Sequence, residues 1–242
     1  MSGLVEGARS LGIELSVAQL AQLDQLGAAL REGNQRVNLT RITDPAKVEL
    51  LHFLDSLTAY LAVRERLGDE PRLRVVDVGS GGGLPGLPLK IALPGLRLTL
   101  VESVGKKAAF LEQTVRQLGL EDVEVVNARA EIAARDPEHR DRYGAALARA
   151  LGKLPQVVEL CAPFLAPGGL LVGLRRGDLE AEIEAAAPAF KALKVWSRRP
   201  VAVDVPGLPH DGRGLVVGEK YAPTPAEFPR RPGVANKRPL SA

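Results

Sequence analysis

The stretch VVDVGSGGGLPG, residues 75–86, places a glycine-rich turn directly after an apolar run that ends in an acidic residue. Glycine adopts positive φ without steric cost and lets a ligand lie against bare backbone. Leu73–Val78 predicts a buried strand, and Leu84–Leu93 predicts a helix with Pro85 near its first turn. A strand, a glycine loop and a helix N-terminus in this order predict a nucleotide-type binding corner.

Two ligand classes fit such a corner. Gly81, Gly83 and Gly86 have the GxGxxG spacing of dinucleotide-binding loops, which alone is a weak signal. Asp77 stands two residues before Gly79, where its carboxylate would repel a pyrophosphate but suit a cationic ligand. The pattern acid-x-Gly-x-Gly-x-Gly resembles the first motif of class I S-adenosylmethionine-dependent methyltransferases. We therefore expect Asp77 to contribute to binding a cationic cofactor.

A second acidic residue follows the next strand. Glu102 lies 16 residues beyond Gly86, at the end of the strand predicted over Leu96–Glu102. A carboxylate at this position can accept both hydroxyl groups of a ribose. Because NAD and S-adenosylmethionine sites share this feature, Glu102 indicates a nucleoside ligand without choosing between the two.

The rest of the chain predicts an α/β fold with an N-terminal helical cap, and the resemblance of the glycine motif implies the Rossmann-like fold of class I methyltransferases. Ser16 with Gln19, and Asp44 with Pro45, are helix-start signals within residues 1–70. From Arg72 onward strands alternate with helices, which predicts a seven-stranded, mostly parallel sheet with helices on both faces. The predicted segments are a cap (1–70), joined at Gly68–Pro71 to a cofactor-binding domain (71–220), and a tail (221–242).

The composition of the chain excludes several classes of protein. The 242 residues suffice for one large domain with an appendage, and no apolar run approaches the roughly 20 residues needed to cross a bilayer. The N-terminus lacks the apolar core of a signal peptide, so we expect a cytoplasmic protein. Cys161 is the single cysteine and falls in an apolar helix, and the three histidines are scattered, so no metal site is expected.

The net charge is concentrated at one end of the chain. Residues 221–242 carry four basic residues against one acidic residue, which accounts for the whole formal charge of +3. Five prolines in this segment argue against a regular helix or central strand. We therefore expect an extended basic arm that contacts nucleic acid through Arg230, Arg231, Lys237 and Arg238. A solubilising, disordered terminus is the alternative.

Four stretches and the tail resemble the RsmG (GidB) family, which methylates N7 of a guanosine in bacterial 16S ribosomal RNA. The stretches are NQRVNLT (34–40), HFLDS (52–56), DVGSGGGLPGLPL (77–89) and ARA (148–150). The resemblance implies S-adenosylmethionine as cofactor, 16S rRNA or the small ribosomal subunit as partner, and a monomer. The resemblance further implies that Gly79, Leu84 and Arg149 contact the cofactor and that Ser80, Gly81 and Gly83 form the loop around it. It also implies that Ala130 and Glu131 lie on the adenine side of the cofactor.

One departure from the family concerns Arg175, at the end of the fifth predicted strand. Many members carry lysine there, so a planar guanidinium replaces a point charge in the predicted RNA contact. For His52, in HFLDS, contact with the cleft alongside Asp55 and packing in the core are both open. His139 and His210 are expected to be solvent-exposed.

The residues present also indicate which methylation chemistry fits. Methylation at carbon-5 of a pyrimidine needs a cysteine nucleophile, and Cys161 is predicted to be core. The Asn/Asp-Pro-Pro-aromatic motif of adenine-amine methyltransferases is replaced by Arg149-Ala150-Leu151-Gly152. Guanine N7 has a free lone pair and no proton to lose, so we assign no catalytic residue. An NAD(P)-dependent oxidoreductase and a non-catalytic RNA-binding protein remain as alternatives.

Overall fold

The computed structural model describes residues 1–70 and 72–240 and contains one central β-sheet. Pro71, in the predicted joint, and residues 241–242 of the predicted tail lie outside the described residues. The strands, in chain order, are β1 (Arg74–Val78), β2 (Arg97–Val101), β3 (Val123–Val126), β4 (Tyr143–Arg149), β5 (Leu165–Arg176), β6 (Val195–Ser197), β7 (Val201–Ala202) and β8 (Arg213–Lys220).

The sheet has the order β3-β2-β1-β4-β5-β8-β6, and β7 pairs with β8 outside this path. Strands β1 to β5 are parallel, whereas β6, β7 and β8 are antiparallel to their neighbours. The strand order reverses between β1 and β4, and this reversal opens a crevice at the carboxyl ends of the strands. The predicted fold class is confirmed. The described sheet has eight strands instead of seven because β7, two residues long, is too short to show a period-2 pattern.

Helices cover both faces of the sheet. In chain order they are α1 (Ser2–Ser10), α2 (Val17–Asn34), α3 (Pro45–Val48), a π-helix (Glu49–Leu54), α4 (Asp55–Leu57), α5 (Tyr60–Asp69), α6 (Gly86–Ala92), α7 (Gly105–Gln117), α8 (Ala130–Ala133), α9 (Leu154–Cys161), a 3-10 turn (Ala162–Phe164), α10 (Leu179–Ala185), α11 (Ala187–Ala192) and α12 (Val234–Lys237). Within the described ranges, none of them has the length and apolar character of a bilayer-spanning helix.

The helices of residues 1–70 form one layer against the sheet. The predicted capping box is present, with Ser16 Oγ accepting from Gln19 N–H, and Asp44 caps the helix that begins at Pro45. Leu30 and Phe53 share one hydrophobic core with Leu87 of α6 and with alternate residues of the strands. Because this core is continuous from the helices into the sheet, the division into a cap and a cofactor-binding domain stays a prediction.

The opposite face of the sheet is covered by α8 to α12 around a second core. Cys161 is buried there, as predicted, and burial raises the pKa of its thiol. A thiol that stays protonated is a poor nucleophile, which agrees with its assignment to the core. Phe228 and Ala235, both from the predicted tail, belong to the same core.

The expectation of an extended arm at the C-terminus is wrong for residues 221–240. This segment packs against the protein and includes α12. The Arg140 guanidinium donates hydrogen bonds to the backbone carbonyls of Thr224, Pro225 and Phe228. Prolines remove backbone donors from this segment, so its carbonyls depend on side-chain donors elsewhere in the chain.

One ion pair fixes the position of Arg230. Its guanidinium donates to both carboxylate oxygens of Glu159 in α9, at 2.8 Å and 2.5 Å. The Glu159 carboxylate is almost fully buried, with a side-chain exposure of 1%. The positive charge of Arg230 is therefore neutralised inside the fold, whereas Arg231, Lys237 and Arg238 are exposed.

We predict that Arg230→Ala lowers the free energy of unfolding by about 3 kcal/mol, because it leaves the Glu159 carboxylate buried without its partner. Arg231→Ala, next in sequence and exposed, should change it by less than about 0.5 kcal/mol. Urea unfolding of the two variants measures the difference. Adding Glu159→Gln to Arg230→Ala should recover part of the loss, and equal stability of both single variants would contradict the role of the pair.

Candidate cofactor and substrate site

The glycine loop that follows β1 is attached to the end of β2. The N–H groups of Gly79 and Ser80 both donate to the carbonyl of Val101, at 2.9 Å and 3.2 Å. Gly79 has a φ of +73°, and a Cβ built on it would lie 2.5 Å from Leu151 Cδ1. A residue with a side chain would be strained at this φ and would have to displace Leu151, so glycine leaves the backbone bordering the crevice directly.

Two buried carboxylates hold this loop. Asp77 is fully buried, and its Oδ2 accepts the Gly86 N–H at 2.8 Å. Glu102 Oε2 accepts the Gly81 N–H at 2.9 Å, while its Oε1 accepts the Val104 N–H at 2.8 Å. The structure therefore gives both predicted acids a part in shaping the loop. A direct contact of either carboxylate with a ligand stays a prediction.

The larger of two cavities along the crevice has a volume of about 560 Å³. It lies between the N-terminal helical layer and the carboxyl ends of β1, β4 and β5. Of the predicted residues, it brings together Gly79, Ser80, Gly81, Leu84, Arg149 and Arg175. A volume of this size is within the range of small-molecule sites. Gly83 is buried below the loop and does not border the cavity.

Asp55 joins three parts of the chain at the wall of this cavity. Its Oδ2 accepts from Arg149, at the end of β4, at 3.1 Å, and its Oδ1 accepts from Arg213, at the start of β8, at 2.6 Å. Asp211 in turn accepts two hydrogen bonds from Arg213. Sequence reasoning did not single out Arg213, because only the fold brings it within reach of Asp55.

His52 lies at the same wall and is also buried, so it combines the two alternatives that the sequence leaves open. Its Nε2 is 2.6 Å from Thr40 Oγ1. Burial and the nearby Arg149 guanidinium lower the pKa of His52 to about 4. The imidazole is therefore uncharged at neutral pH.

The two other histidines differ in their exposure to solvent. His210 is exposed, as predicted. His139 is buried with its Nδ1 2.6 Å from the Tyr143 hydroxyl, so its predicted exposure is wrong. The charged residues around His139 in the sequence gave no sign that this tyrosine, at the start of β4, packs against it.

Arg175 lines the larger cavity, but its guanidinium is already engaged. It donates to both carboxylate oxygens of Glu182, at 2.8 Å and 3.0 Å, and to the carbonyl of Gly152 at 2.6 Å. A planar guanidinium can donate two parallel hydrogen bonds to one carboxylate, whereas a lysine ammonium cannot make this two-point contact. The predicted contact of Arg175 with RNA is untested by this geometry.

The smaller cavity, of about 160 Å³, lies on the other side of the loop. The two cavities share Gly79 in their walls. The predicted pair Ala130 and Glu131 lines the smaller one, and Glu131 Oε1 accepts the Gly233 N–H at 2.7 Å. Sequence reasoning missed several other wall residues, for which no local motif gave a signal: Leu151, Gln156, Leu160, Ala235 and Asn236.

Two adjoining cavities that share Gly79 in their walls fit an elongated ligand of two parts, as is expected of S-adenosylmethionine. The shared wall is bare backbone, and a Cβ on Gly79 would have to displace the end of the Leu151 side chain, which lines the smaller cavity. Beneath the loop, Asp77 Oδ1 is buried and makes no hydrogen bond among the described residues. Those residues also contain no cluster of side chains able to hold a metal ion.

We predict that the buried carboxyl of Asp77 makes stability depend on pH. Burial raises the pKa of Asp77 from 3.8 to about 7. Between these values the unfolded chain has released the proton while the folded chain still holds it. The free energy of unfolding therefore falls as pH rises from about 4 to about 7, and this contribution is constant above pH 7.

Asp77→Asn keeps an acceptor for the Gly86 N–H but does not titrate. Relative to the variant, the free energy of unfolding of the original chain should fall by up to about 4 kcal/mol between pH 4 and pH 8. Each unit of difference between the folded and unfolded pKa contributes about 1.4 kcal/mol. Urea unfolding across this range at constant ionic strength measures the difference. A difference between the two proteins that does not change with pH would contradict the raised pKa.

Comparison with known proteins identifies the family of this chain. Residues 19–203 match the model of the GidB family, described as rRNA small subunit methyltransferase G. Ribosomal RNA small subunit methyltransferase G of Roseiflexus castenholzii is 45% identical over 240 residues, and that of Dehalococcoides mccartyi is 42% identical over the same length. Both alignments cover 99% of this chain and 100% of the relative.

A solved structure, described as a SAM dependent methyltransferase from Aquifex aeolicus, shares the fold. It has a TM-score of 0.50 and 16% identity, and the match covers 72% of this chain and 93% of that chain. At this identity the likeness concerns the fold alone. The family match and the near-full-length relatives carry the assignment, and the chain belongs to the GidB family of small-subunit ribosomal RNA methyltransferases.

Proposed function

We propose that this methyltransferase uses its two cavities to transfer a methyl group from S-adenosylmethionine to N7 of a guanosine in 16S rRNA. The observation that carries the choice of N7 is the engagement of the acids and the histidine in the larger cavity. Asp55 is paired with two arginines, and Glu182 is paired with Arg175. His52, with a pKa of about 4, holds a proton poorly at neutral pH.

A site without a free general base suits a nucleophile that has no proton to lose. Guanine N7 carries its lone pair in the plane of the ring and needs only to be aligned with the methyl carbon. When bound, S-adenosylmethionine supplies that carbon on a positively charged sulfur. The part played by this chain is then to orient the base and to exclude water.

We assign the predicted cofactor residues to three roles. Gly79, Ser80, Gly81 and Leu84 offer the loop surface of the larger cavity, and Arg149, held by Asp55, borders the same cavity. Ala130 and Glu131 border the smaller cavity. Asp77, Glu102 and Gly83 maintain the loop from beneath, where Gly83 leaves no room for a side chain because a Cβ there would lie 2.3 Å from Leu87.

Family membership sets aside the oxidoreductase alternative. The RNA partner is supported further by five basic side chains that line the larger cavity: Lys107, Arg149, Arg175, Arg176 and Arg213. Three of these arginines are paired with Asp55 or Glu182 in the wall, whereas Arg176 is exposed and its guanidinium lies 3.5 Å from the Asp211 carboxylate at the surface. We therefore assign phosphate contacts to Arg176 and to the exposed basic residues of the tail. We further propose that the enzyme acts as a cytoplasmic monomer.

Methyl transfer from tritiated S-adenosylmethionine to 16S rRNA from a strain that lacks the gene tests the activity. We predict that one guanosine becomes labelled at N7, and parallel reactions with free rRNA and with small subunits identify the substrate. Gly79→Ala should reduce the rate about 100-fold, because alanine is strained at the φ of +73° and its Cβ would crowd Leu151, which together shift the loop that aligns the methyl carbon.

Gly68→Ala is the matched control for this assay, because a Cβ at Gly68 meets no atom within 4 Å. It should leave the rate unchanged. Label on a different base, or at an oxygen or exocyclic amine, would contradict the proposal of N7. Absence of any label with both substrates would support the non-catalytic alternative.

The dependence of RNA affinity on salt tests the basic tail. We predict that replacing Arg231, Lys237 and Arg238 by alanine lowers the slope of log affinity against log salt by about 2 to 3, since each lost phosphate contact removes about 0.7 to 0.9. A control triple variant replaces Arg72, Arg97 and Arg142, which are exposed at the opposite end of the sheet. Equal slopes for the two triple variants would exclude the tail from the RNA interface.

A further inference from the structure

The C-terminal segment reaches the wall of the smaller cavity. Ala235 and Asn236, in α12, line it opposite Ala130 and Glu131. Ala235 is buried, and α12 packs against α9. A segment expected to leave the protein as an RNA-binding arm therefore contributes to the predicted adenosine half of the cofactor site.

Three anchors hold this segment in place. Gly233 N–H donates to Glu131 Oε1 at 2.7 Å, directly before α12. Arg230 pairs with the buried Glu159 in α9. Lys220, fully buried, donates to Thr224 Oγ1 at 2.6 Å, where the segment leaves β8. These contacts fix the position of α12 relative to the cavity.

We propose that α12 completes the adenosine pocket and that Asn236 is the residue that recognises the adenine edge. This inference rests on the proposed use of S-adenosylmethionine. Within residues 1–70 and 72–240, the hydrogen bonds of the structure leave the Asn236 carboxamide without a partner. A free donor and a free acceptor thus stand together at the wall of the cavity.

A carboxamide matches adenine because both groups present a donor and an acceptor side by side. Asparagine and glutamine pair in this way with the adenine amine and an adjacent ring nitrogen. The carboxylate of Glu131 offers acceptors only, and one of its oxygens already accepts from Gly233. Val101, Leu151 and Leu160 supply apolar surface suited to the faces of a purine.

Calorimetric titration with S-adenosylhomocysteine, which binds without turnover, tests this role. We expect Asn236→Ala to weaken binding about ten-fold or more. Gln113→Ala, which removes an exposed carboxamide from α7 outside both cavity linings, is the matched control and should bind as the original chain does. Because Asn236 is exposed and otherwise unpaired, both variants should unfold at the same temperature as the original chain when no ligand is present.

A second probe separates recognition of adenine from general loosening of α12. The purine riboside counterpart of S-adenosylhomocysteine lacks the exocyclic amine. The original chain should bind it more weakly than S-adenosylhomocysteine, and Asn236→Ala should bind both probes equally. If Asn236→Ala keeps the full affinity and the preference for adenine, the inference is overturned while the proposed function stands. If the original chain binds neither probe, the proposed function itself fails.

Discussion

The site depends on two buried carboxylates that hold one glycine loop. Asp77 ends β1 and accepts from Gly86, whereas Glu102 follows β2 and accepts from Gly81. Each acid binds a different part of the loop, so the loop takes its shape from two neighbouring strands. A Cβ at Gly86 would lie 2.8 Å from Asp77 Oδ2. The close approach that forms this hydrogen bond therefore favours glycine at position 86.

This arrangement places bare backbone where the strand order reverses. The crevice between β1 and β4 opens there, and the two cavities lie on either side of Gly79. The N-terminal helices close the larger cavity, and Asp55 ties them to β4 and β8 through two arginines. The C-terminal segment closes the smaller cavity. Both ends of the chain thus complete a site whose centre lies in the sheet.

Local patterns in the sequence predicted the elements that form this centre. The apolar runs marked five parallel strands, and the glycine motif with its preceding acid identified the loop. Ser16 with Gln19 marked the start of α2. In each case the residues that form the pattern also make the contacts that stabilise the element. A local pattern in the sequence is therefore enough to predict it.

Contacts between distant residues were not predictable in this way. Glu159 reads as one polar residue in an apolar helix, and only the fold brings Arg230, 71 residues later, to its carboxylate. The same holds for Asp55 and Arg213, 158 residues apart. Charge and prolines are the only signals that the sequence of the tail offers, and they predict an exposed arm. In the structure this segment instead forms part of the wall of the smaller cavity.

The central claim is that one ligand spans both cavities past Gly79. A crystal structure of the protein with S-adenosylhomocysteine tests it most directly. The account predicts electron density for the homocysteine part in the larger cavity and for the adenine part beside Ala130 and Asn236. Density confined to one cavity, or a crevice that stays empty at saturating ligand, would contradict it.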